Sequence, residues 1–155
     1  MDTNVIIAAF AAKAWKPLAE FFRLITADRC AVEAATGQRQ QKGYIAVDDG
    51  LVRKTATILK PDTKQLAQAA LALRGIFLDD GERDLLACAI ARPNAWLLCS
   101  PDKAAVRAMH RLGKLGQAVS LEALTRAAKL NVRLDEPFTE KWMRSFRTQL
   151  ELETL

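Results

Sequence analysis

Short apolar runs alternate along this chain with segments that carry helix signals, and this alternation limits what the chain can fold into. Residues 95–99 form a continuous apolar run of strand length, as strands buried on both faces of a parallel sheet do. Helices are predicted on either side of it, at residues 81–91 and 102–112. Because crossover helices join parallel strands, the pattern predicts an α/β sandwich with a mostly parallel central sheet.

The same signals predict the remaining elements. Further helices are expected at residues 4–14, from Pro17 onward, at 26–36 with Thr26 as the cap, at 62–73, and from Ser120 onward. Further strands are expected at residues 44–47, 55–59 and 118–119. A loop is expected at residues 37–43 and a turn at 48–50.

Residues 131–155 carry a separate apolar pattern. Large apolar side chains recur there every four residues, as on one face of an amphipathic helix: Phe138, Trp142, Phe146 and Leu150. We expect a C-terminal amphipathic helical extension that follows a domain formed by residues 1–130. The stripe either packs against that domain or offers a surface for a homodimer or another partner.

Composition excludes several classes of protein. Of the 155 residues, 50% are hydrophobic and 26% are charged, as in a soluble globular domain. No apolar run approaches the length of a membrane span and no secretory signal is recognised, so a cytoplasmic location without membrane contact is expected. The net charge of +5 is modest and favours a polyanionic partner.

Cysteine and histidine usage narrows the chemistry. Cys30, Cys88 and Cys99 show no C-x-x-C spacing, which is typical of small buried residues in a reduced protein. The sequence has one histidine, His110, which is expected on a helix surface. A zinc site therefore lacks ligands, and a Ser-His-Asp triad lacks the G-x-S-x-G elbow.

Four acidic residues fall at strand-to-helix junctions or near helix starts. Asp2 opens the first helical segment, Asp102 follows the run at 95–99, and Glu33 and Asp84 lie in helical segments. The carboxyl ends of parallel strands form the active-site edge of an α/β sheet. Carboxylates that converge there repel one another unless a divalent cation binds, so the pattern suggests Mg²⁺ or Mn²⁺ and phosphodiester chemistry.

Residues 2–128 resemble the PIN-domain nucleases. Four segments carry the resemblance by their order and spacing: Asp-Thr-Asn at 2–4, Leu-Asp-Asp-Gly-Glu-Arg-Asp-Leu-Leu-Ala-Cys-Ala at 78–89, Leu-Leu-Cys-Ser-Pro-Asp-Lys at 97–103, and Ala-Val-Ser-Leu-Glu-Ala-Leu at 118–124. Residues 78–124 are most similar to stand-alone prokaryotic PIN proteins and VapC-type toxins. The resemblance implies a PIN-like three-layer sandwich and a Mg²⁺- or Mn²⁺-dependent endoribonuclease.

The resemblance also implies roles for individual residues. The metal-binding and catalytic acids would be Asp2, Glu33, Asp84 and Asp102. The residues expected to orient these acids or a water molecule are Thr3, Asn4, Glu82 and Ser100.

Three cations follow Asp102 at four-residue spacing, namely Lys103, Arg107 and Arg111. On one helix they would form a stripe beside the metal site, along which an RNA backbone can lie. A solvated helix face is the alternative explanation of the same spacing.

The leading expectation is a ribonuclease that acts as the toxin of a toxin–antitoxin pair, with RNA and an antitoxin protein as partners. The alternative is a catalytically weak or inactive PIN-fold module that binds RNA or protein. One departure favours the alternative, because PIN domains carry a full apolar strand before their first acid and only Met1 precedes Asp2 here. Either the start lies upstream or the sheet lacks that strand.

A phosphatase of the aspartyl-phosphate kind is disfavoured because residues 2–4 supply no Asp-x-Asp motif, and no Walker A loop is found.

Overall fold

The structure, a computed structural model, describes residues 1–37 and 42–154 of the chain. Within these residues it is a mixed α/β protein in which helices predominate. The helices are α1 (Thr3–Ala11), α2 (Trp15–Phe21), α3 (Asp28–Thr36), α4 (Asp49–Thr55), α5 (Thr63–Ala72), α6 (Asp80–Ile90), α7 (Lys103–Arg111), α8 (Leu121–Ala127) and α9 (Glu140–Glu153). The strands are β1 (Ile25–Ala27), β2 (Thr57–Leu59), β3 (Leu98–Cys99) and β4 (Ala118–Val119). Single 3-10 turns lie at Leu115–Gln117 and Glu136–Phe138.

The strands form two parallel pairs, which confirms the prediction of a mixed α/β fold with parallel strands. β1 pairs with β2, with Ile25 opposite Thr57, and β3 pairs with β4, with Leu98 opposite Ala118. Each pair is two strands wide in the part of the chain that the structure describes.

Residues 1 and 2 link the two pairs. The terminal amine of Met1 donates a hydrogen bond to the carbonyl oxygen of Ile25 at 2.8 Å, on the β1 side. The backbone N–H of Asp2 donates to the carbonyl oxygen of Cys99 at 3.3 Å, on the β3 side. The hydroxyl of Thr26 donates to the carbonyl oxygen of Met1 at 2.7 Å. These bonds fix Asp2 beside the carboxyl ends of β1 and β3.

Several predicted elements were wrong in type or extent. Residues 44–47 are irregular rather than a strand, and the predicted turn at 48–50 is the start of α4, which Asp48 caps by accepting a hydrogen bond from the N–H of Leu51 at 2.9 Å. The run at 95–99 pairs only at Leu98–Cys99. Thr26 belongs to β1 and does not cap a helix. Part of the predicted loop, residues 38–41, lies outside the described residues.

The apolar stripe of α9 packs against this chain's own core. Met143, Phe146 and Leu150 are buried in the main hydrophobic cluster, and Phe138 and Trp142 are half-buried against it. The rings of Trp142 and Phe146 stack with their centroids 5.6 Å apart. The stripe is therefore largely covered within the chain itself.

The three cysteines are buried free thiols, as the spacing predicts. Burial raises the pKa of Cys30 and Cys88 to about 11 and that of Cys99 to about 12, so none is a reactive thiolate at neutral pH. Among the described helices, none combines the length and the apolar character needed to cross a membrane.

We expect the substitution Thr26→Val to destabilise the fold. Valine keeps the volume of this fully buried side chain but leaves the Met1 carbonyl oxygen without its donor, which costs about 1–3 kcal/mol in the free energy of unfolding. Thr36→Val is the matched control, because among the described residues the exposed Thr36 hydroxyl bonds the Val32 carbonyl of its own helix alone. Urea unfolding of both variants measures the effect. An equal loss in the free energy of unfolding of the two variants would show that the Thr26 bond does not link residue 1 to β1.

Candidate functional site

Asp2 is a buried carboxylate at the start of α1. It is only 4% exposed, its Oδ1 accepts a hydrogen bond from the N–H of Val5 at 2.9 Å, and its Oδ2 accepts one from the Ser100 hydroxyl. Burial raises the pKa of Asp2 to about 6, against the lowering effect of both hydrogen bonds and of the terminal ammonium, and the neighbouring charge of Asp102 raises it further. Asp2 is therefore held in one position as an acid that titrates near neutral pH.

Ser100 connects Asp2 to Asp102. This buried serine follows β3, and its Oγ accepts a hydrogen bond from the backbone N–H of Asp102 at 3.1 Å while donating to Asp2. The Oδ1 of Asp102 accepts from the N–H of Ala104 at 2.6 Å and so caps α7. The strand-to-helix turn after β3 thus holds the Ser100 hydroxyl between the Asp2 carboxylate and the backbone N–H of Asp102.

Glu82 is the third carboxylate of this group, which we call the acidic cluster (Asp2, Glu82 and Asp102). It is 7% exposed in the first turn of α6, where its Oε2 accepts a hydrogen bond from the backbone N–H of Asp79 at 3.1 Å. Burial raises the pKa of Glu82 to about 8, and the charge of Asp102 adds to the shift. No ion pair among the described residues involves a carboxylate of the acidic cluster.

Glu33 lies at the edge of the acidic cluster. Its Oε2 accepts a hydrogen bond from the Thr3 hydroxyl at 2.9 Å, which ties α3 to α1. A Cβ at Gly81 would lie 2.7 Å from the same oxygen, so a larger residue at this position would displace the Glu33 carboxylate. Asn4 is exposed on α1.

Asp84 lies in a different electrostatic environment. It is nearly buried, but Arg29 donates to its Oδ2 at 3.1 Å and Arg83 donates to its Oδ1 at 3.0 Å. The bond to Asp84 also raises the pKa of Arg29. Two guanidinium groups therefore neutralise Asp84, whereas the acidic cluster has no such partner among the described side chains. Of the four acids assigned to the metal, the contacts join only Asp2 and Asp102.

The acidic cluster has the donor chemistry that a hard divalent cation prefers. Carboxylate oxygens are the usual protein ligands of Mg²⁺ and Mn²⁺, and the raised pKa values of Asp2 and Glu82 reflect charges that a cation would offset. Within residues 1–37 and 42–154, however, no three histidine, cysteine or acidic side chains are arranged to hold a metal ion. The carboxylates of the acidic cluster are suitable ligands for a metal ion, but they would have to move closer together to bind one.

The predicted cationic stripe lies on α7 and is partly engaged by α9. Arg107 pairs with Glu153 at 2.7 Å. The Lys103 amine and the Arg107 guanidinium lie 5.7 Å and 5.5 Å from the centre of the Phe146 ring. Arg111 donates to the carbonyl oxygen of Arg74 at 3.4 Å. All three cations remain exposed, but the charge of Arg107 is shared with Glu153.

We expect Glu82→Gln to stabilise the metal-free chain as the pH rises. Because the pKa of Glu82 lies above its ordinary value of 4.5, the folded chain binds more protons than the unfolded chain between about pH 4.5 and 8. The stability that Glu82 contributes is therefore present below pH 4.5 and is lost as the pH rises through 8. Glutamine keeps the hydrogen bond from Asp79 and removes the charge.

Thermal unfolding in EDTA at about pH 5 and about pH 9 measures this difference. The variant should gain at least about 1.4 kcal/mol over the wild type between the two pH values, which corresponds to one pKa unit. The exposed Glu20 supplies the control Glu20→Gln, which should gain nothing. A pH dependence that Glu82→Gln leaves unchanged would contradict the assignment.

Comparisons with protein-family models, with curated proteins and with solved structures find no match to this chain. The geometry of the acidic cluster and the resemblance of its motifs are therefore the grounds on which a function is proposed.

Proposed function

We propose that this protein is a Mg²⁺- or Mn²⁺-dependent endoribonuclease with a PIN-like three-layer sandwich. The observation that carries the proposal is the acidic cluster at the carboxyl ends of β1 and β3, in which Asp2 and Glu82 are buried and which lacks a neutralising side chain among the described residues. A buried anionic group of this kind is costly unless a cation compensates it. Asp2 and Asp102 cap α1 and α7, and Asp102 follows β3 at a strand-to-helix junction, which supports the same conclusion.

Each residue of the site has a defined task in this proposal. Asp2 and Asp102 would hold the metal, and Ser100 fixes their relative position through its two hydrogen bonds. Glu82 would join them as a ligand or as a proton acceptor, since its pKa near 8 lets it exchange a proton near neutral pH. When bound, the metal supplies Lewis-acid stabilisation of the negative charge that builds on the phosphate.

Glu33 and Asp84 enter the proposal on weaker grounds. Glu33 contacts Thr3 and Gly81, the sequence neighbours of Asp2 and Glu82, and would have to turn toward the cluster to become a ligand. Asp84 would have to exchange Arg29 and Arg83 for the metal. Their roles as metal ligands remain predictions of the resemblance.

The toxin of a toxin–antitoxin pair is the form of this activity that the resemblance favours. RNA would be its substrate and an antitoxin protein its partner. The basic charge of the chain supports a polyanionic substrate.

A PIN-fold module that binds RNA or protein without cleaving it is the second candidate. One observation favours it, because the described acids do not form a closed metal-binding group. Calorimetric titration with Mn²⁺ separates the two candidates, since the ribonuclease must bind the metal through the acidic cluster and the module need not.

We expect Asp102→Asn to lower Mn²⁺-dependent RNA cleavage by roughly 100-fold or more, because it removes a charged ligand and keeps the helix cap. Asp62→Asn is the matched control, because Asp62 caps α5 in the same way but is exposed and outside the cluster. Single-turnover cleavage with circular dichroism as a folding check measures both variants. Equal activity in the two would exclude Asp102 from the site.

The same assay separates the roles of the other acids. Asp84→Asn tests whether the ion pairs with Arg29 and Arg83 exclude Asp84 from the reaction. A loss as large as that of Asp102→Asn would make Asp84 a metal ligand, and near-normal cleavage would leave it as the partner of the two arginines.

We expect charge reversal at Arg111 or Lys103 to flatten the salt dependence of RNA binding. Each lost phosphate contact should lower the slope of log Kd against log salt by about one, because fewer counterions are released. Fluorescence anisotropy with a labelled single-stranded RNA in EDTA measures the slope without cleavage. Lys16→Glu on α2 controls for the change in total charge. An equal change of slope in this variant would show that the stripe is a solvated helix face that does not contact RNA.

A further inference from the structure

A largely apolar groove opens between β1 and β3, and Met1 is one of the residues that line it. Its volume is about 410 Å³, and its walls include Leu24 and Ile25 on one side and Leu97 and Leu98 on the other. Leu97 is 57% exposed within it. An exposed apolar surface of this kind on a small domain marks an interaction site.

Two buried polar atoms in the walls of this groove have no hydrogen-bond partner among the described residues. They are Nε of Arg92, a donor, and Oε1 of Gln117, an acceptor. A buried polar atom without a partner costs about 1–3 kcal/mol, so a ligand that pairs with both, once the two side chains turn toward the groove, recovers stability. The ligand must then carry an acceptor for Arg92 and a donor for Gln117, which a peptide backbone supplies together.

The groove also continues the line of an existing extended segment. Asp2 has extended backbone angles, with φ −83° and ψ 175°, and residues 1 and 2 already bond the carbonyl oxygens of Ile25 and Cys99. The groove extends from this segment between the same two strands. The distance between β1 and β3 is therefore one that a single extended chain already spans at residues 1 and 2.

The charge of the groove restricts the ligand further. Arg23 and Arg92 are the charged residues that line it in the described part of the chain, and both are cationic. An apolar ligand with acidic flanks is complementary to this surface.

We propose that the groove between β1 and β3 binds an extended apolar peptide segment of a partner protein, flanked by acidic residues, which adds as a strand between the two parallel pairs. Backbone hydrogen bonds give affinity in this mode, and alternate side chains of the strand enter the apolar walls. The interaction is separate from the proposed cleavage of RNA, because no residue of the acidic cluster lines the groove.

The test uses the full chain and the synthetic peptide acetyl-Glu-Val-Val-Ile-Val-Glu-amide in calorimetric titration. The control peptide acetyl-Glu-Val-Pro-Ile-Pro-Glu-amide has similar charge and apolar character, but its prolines lack the N–H groups that a strand donates. We expect saturable binding of the first peptide and at least about tenfold weaker binding of the second, a difference of about 1.4 kcal/mol. Backbone amide NMR signals of Ile25 and Leu98 should shift only with the first.

Matched variants locate the binding. Leu97→Lys should weaken the peptide at least tenfold, whereas Leu71→Lys should not, because Leu71 is 79% exposed on α5 outside the groove. Gln117→Ala is a second variant that removes the unpaired acceptor and should weaken binding several-fold. Circular dichroism confirms that each variant is folded.

Several results would overturn the proposal. Equal binding of the two peptides, equal effects of Leu97→Lys and Leu71→Lys, or no binding at all would each exclude strand addition. A dimer of the chain that Leu97→Lys dissociates would assign the groove to a second copy. Binding of the apolar dye anilinonaphthalene sulfonate, sensitive to Leu97→Lys, without peptide binding would assign it to a small apolar ligand.

Discussion

The hydrogen bonds of residues 1 and 2 are the constraint on which the rest of this structure depends. In the part of the chain that the structure describes, each sheet is two strands wide, and an isolated strand pair is marginally stable. The bonds from Met1 to Ile25 and from Asp2 to Cys99 join the pairs into one platform. They also set the depth of the Asp2 carboxylate, so the backbone that connects the sheets positions the candidate site.

Helix α6 carries two acids whose electrostatic environments are opposite. Glu82 and Asp84 are two positions apart, so their side chains lie on nearly opposite sides of the helix, about 160° apart around its axis. One faces Asp102 and holds its proton to a higher pH, while the other faces Arg29 and Arg83. A single turn of helix thus separates uncompensated charge from compensated charge, and the candidate site is limited to one face.

Local signals predicted much of this fold. Asp102 and Ser120 are capping residues, and their helices begin where those residues predict, whereas α1 begins at Thr3 behind the cap Asp2, one residue before the predicted start. β1 was missed because three residues are too few for a period to be read. α4 was read as a turn because Asp48-Asp49-Gly50 is a turn signal as well as a helix start.

The candidate site was harder to predict, because it depends on distant pairings. Glu82 was read as an orienting residue, since an acid in the first turn of a helix is favoured there in any case. Its contact with Asp102 depends on how α6 and α7 meet. The pairing of Arg107 with Glu153 joins residues 46 positions apart, and no local pattern reveals it.

The side chain of Glu82 has two roles. It accepts the hydrogen bond that completes the capping box of α6, and it is one of the three carboxylates of the acidic cluster. Glutamine would perform the first task without the charge repulsion, so stability alone favours glutamine at this position. Selection therefore retains glutamate at position 82 only if its negative charge has a function. Among descendants of this sequence, drift from glutamate to glutamine at position 82 would therefore record the loss of the cluster's function, and persistence of glutamate would record its continued use.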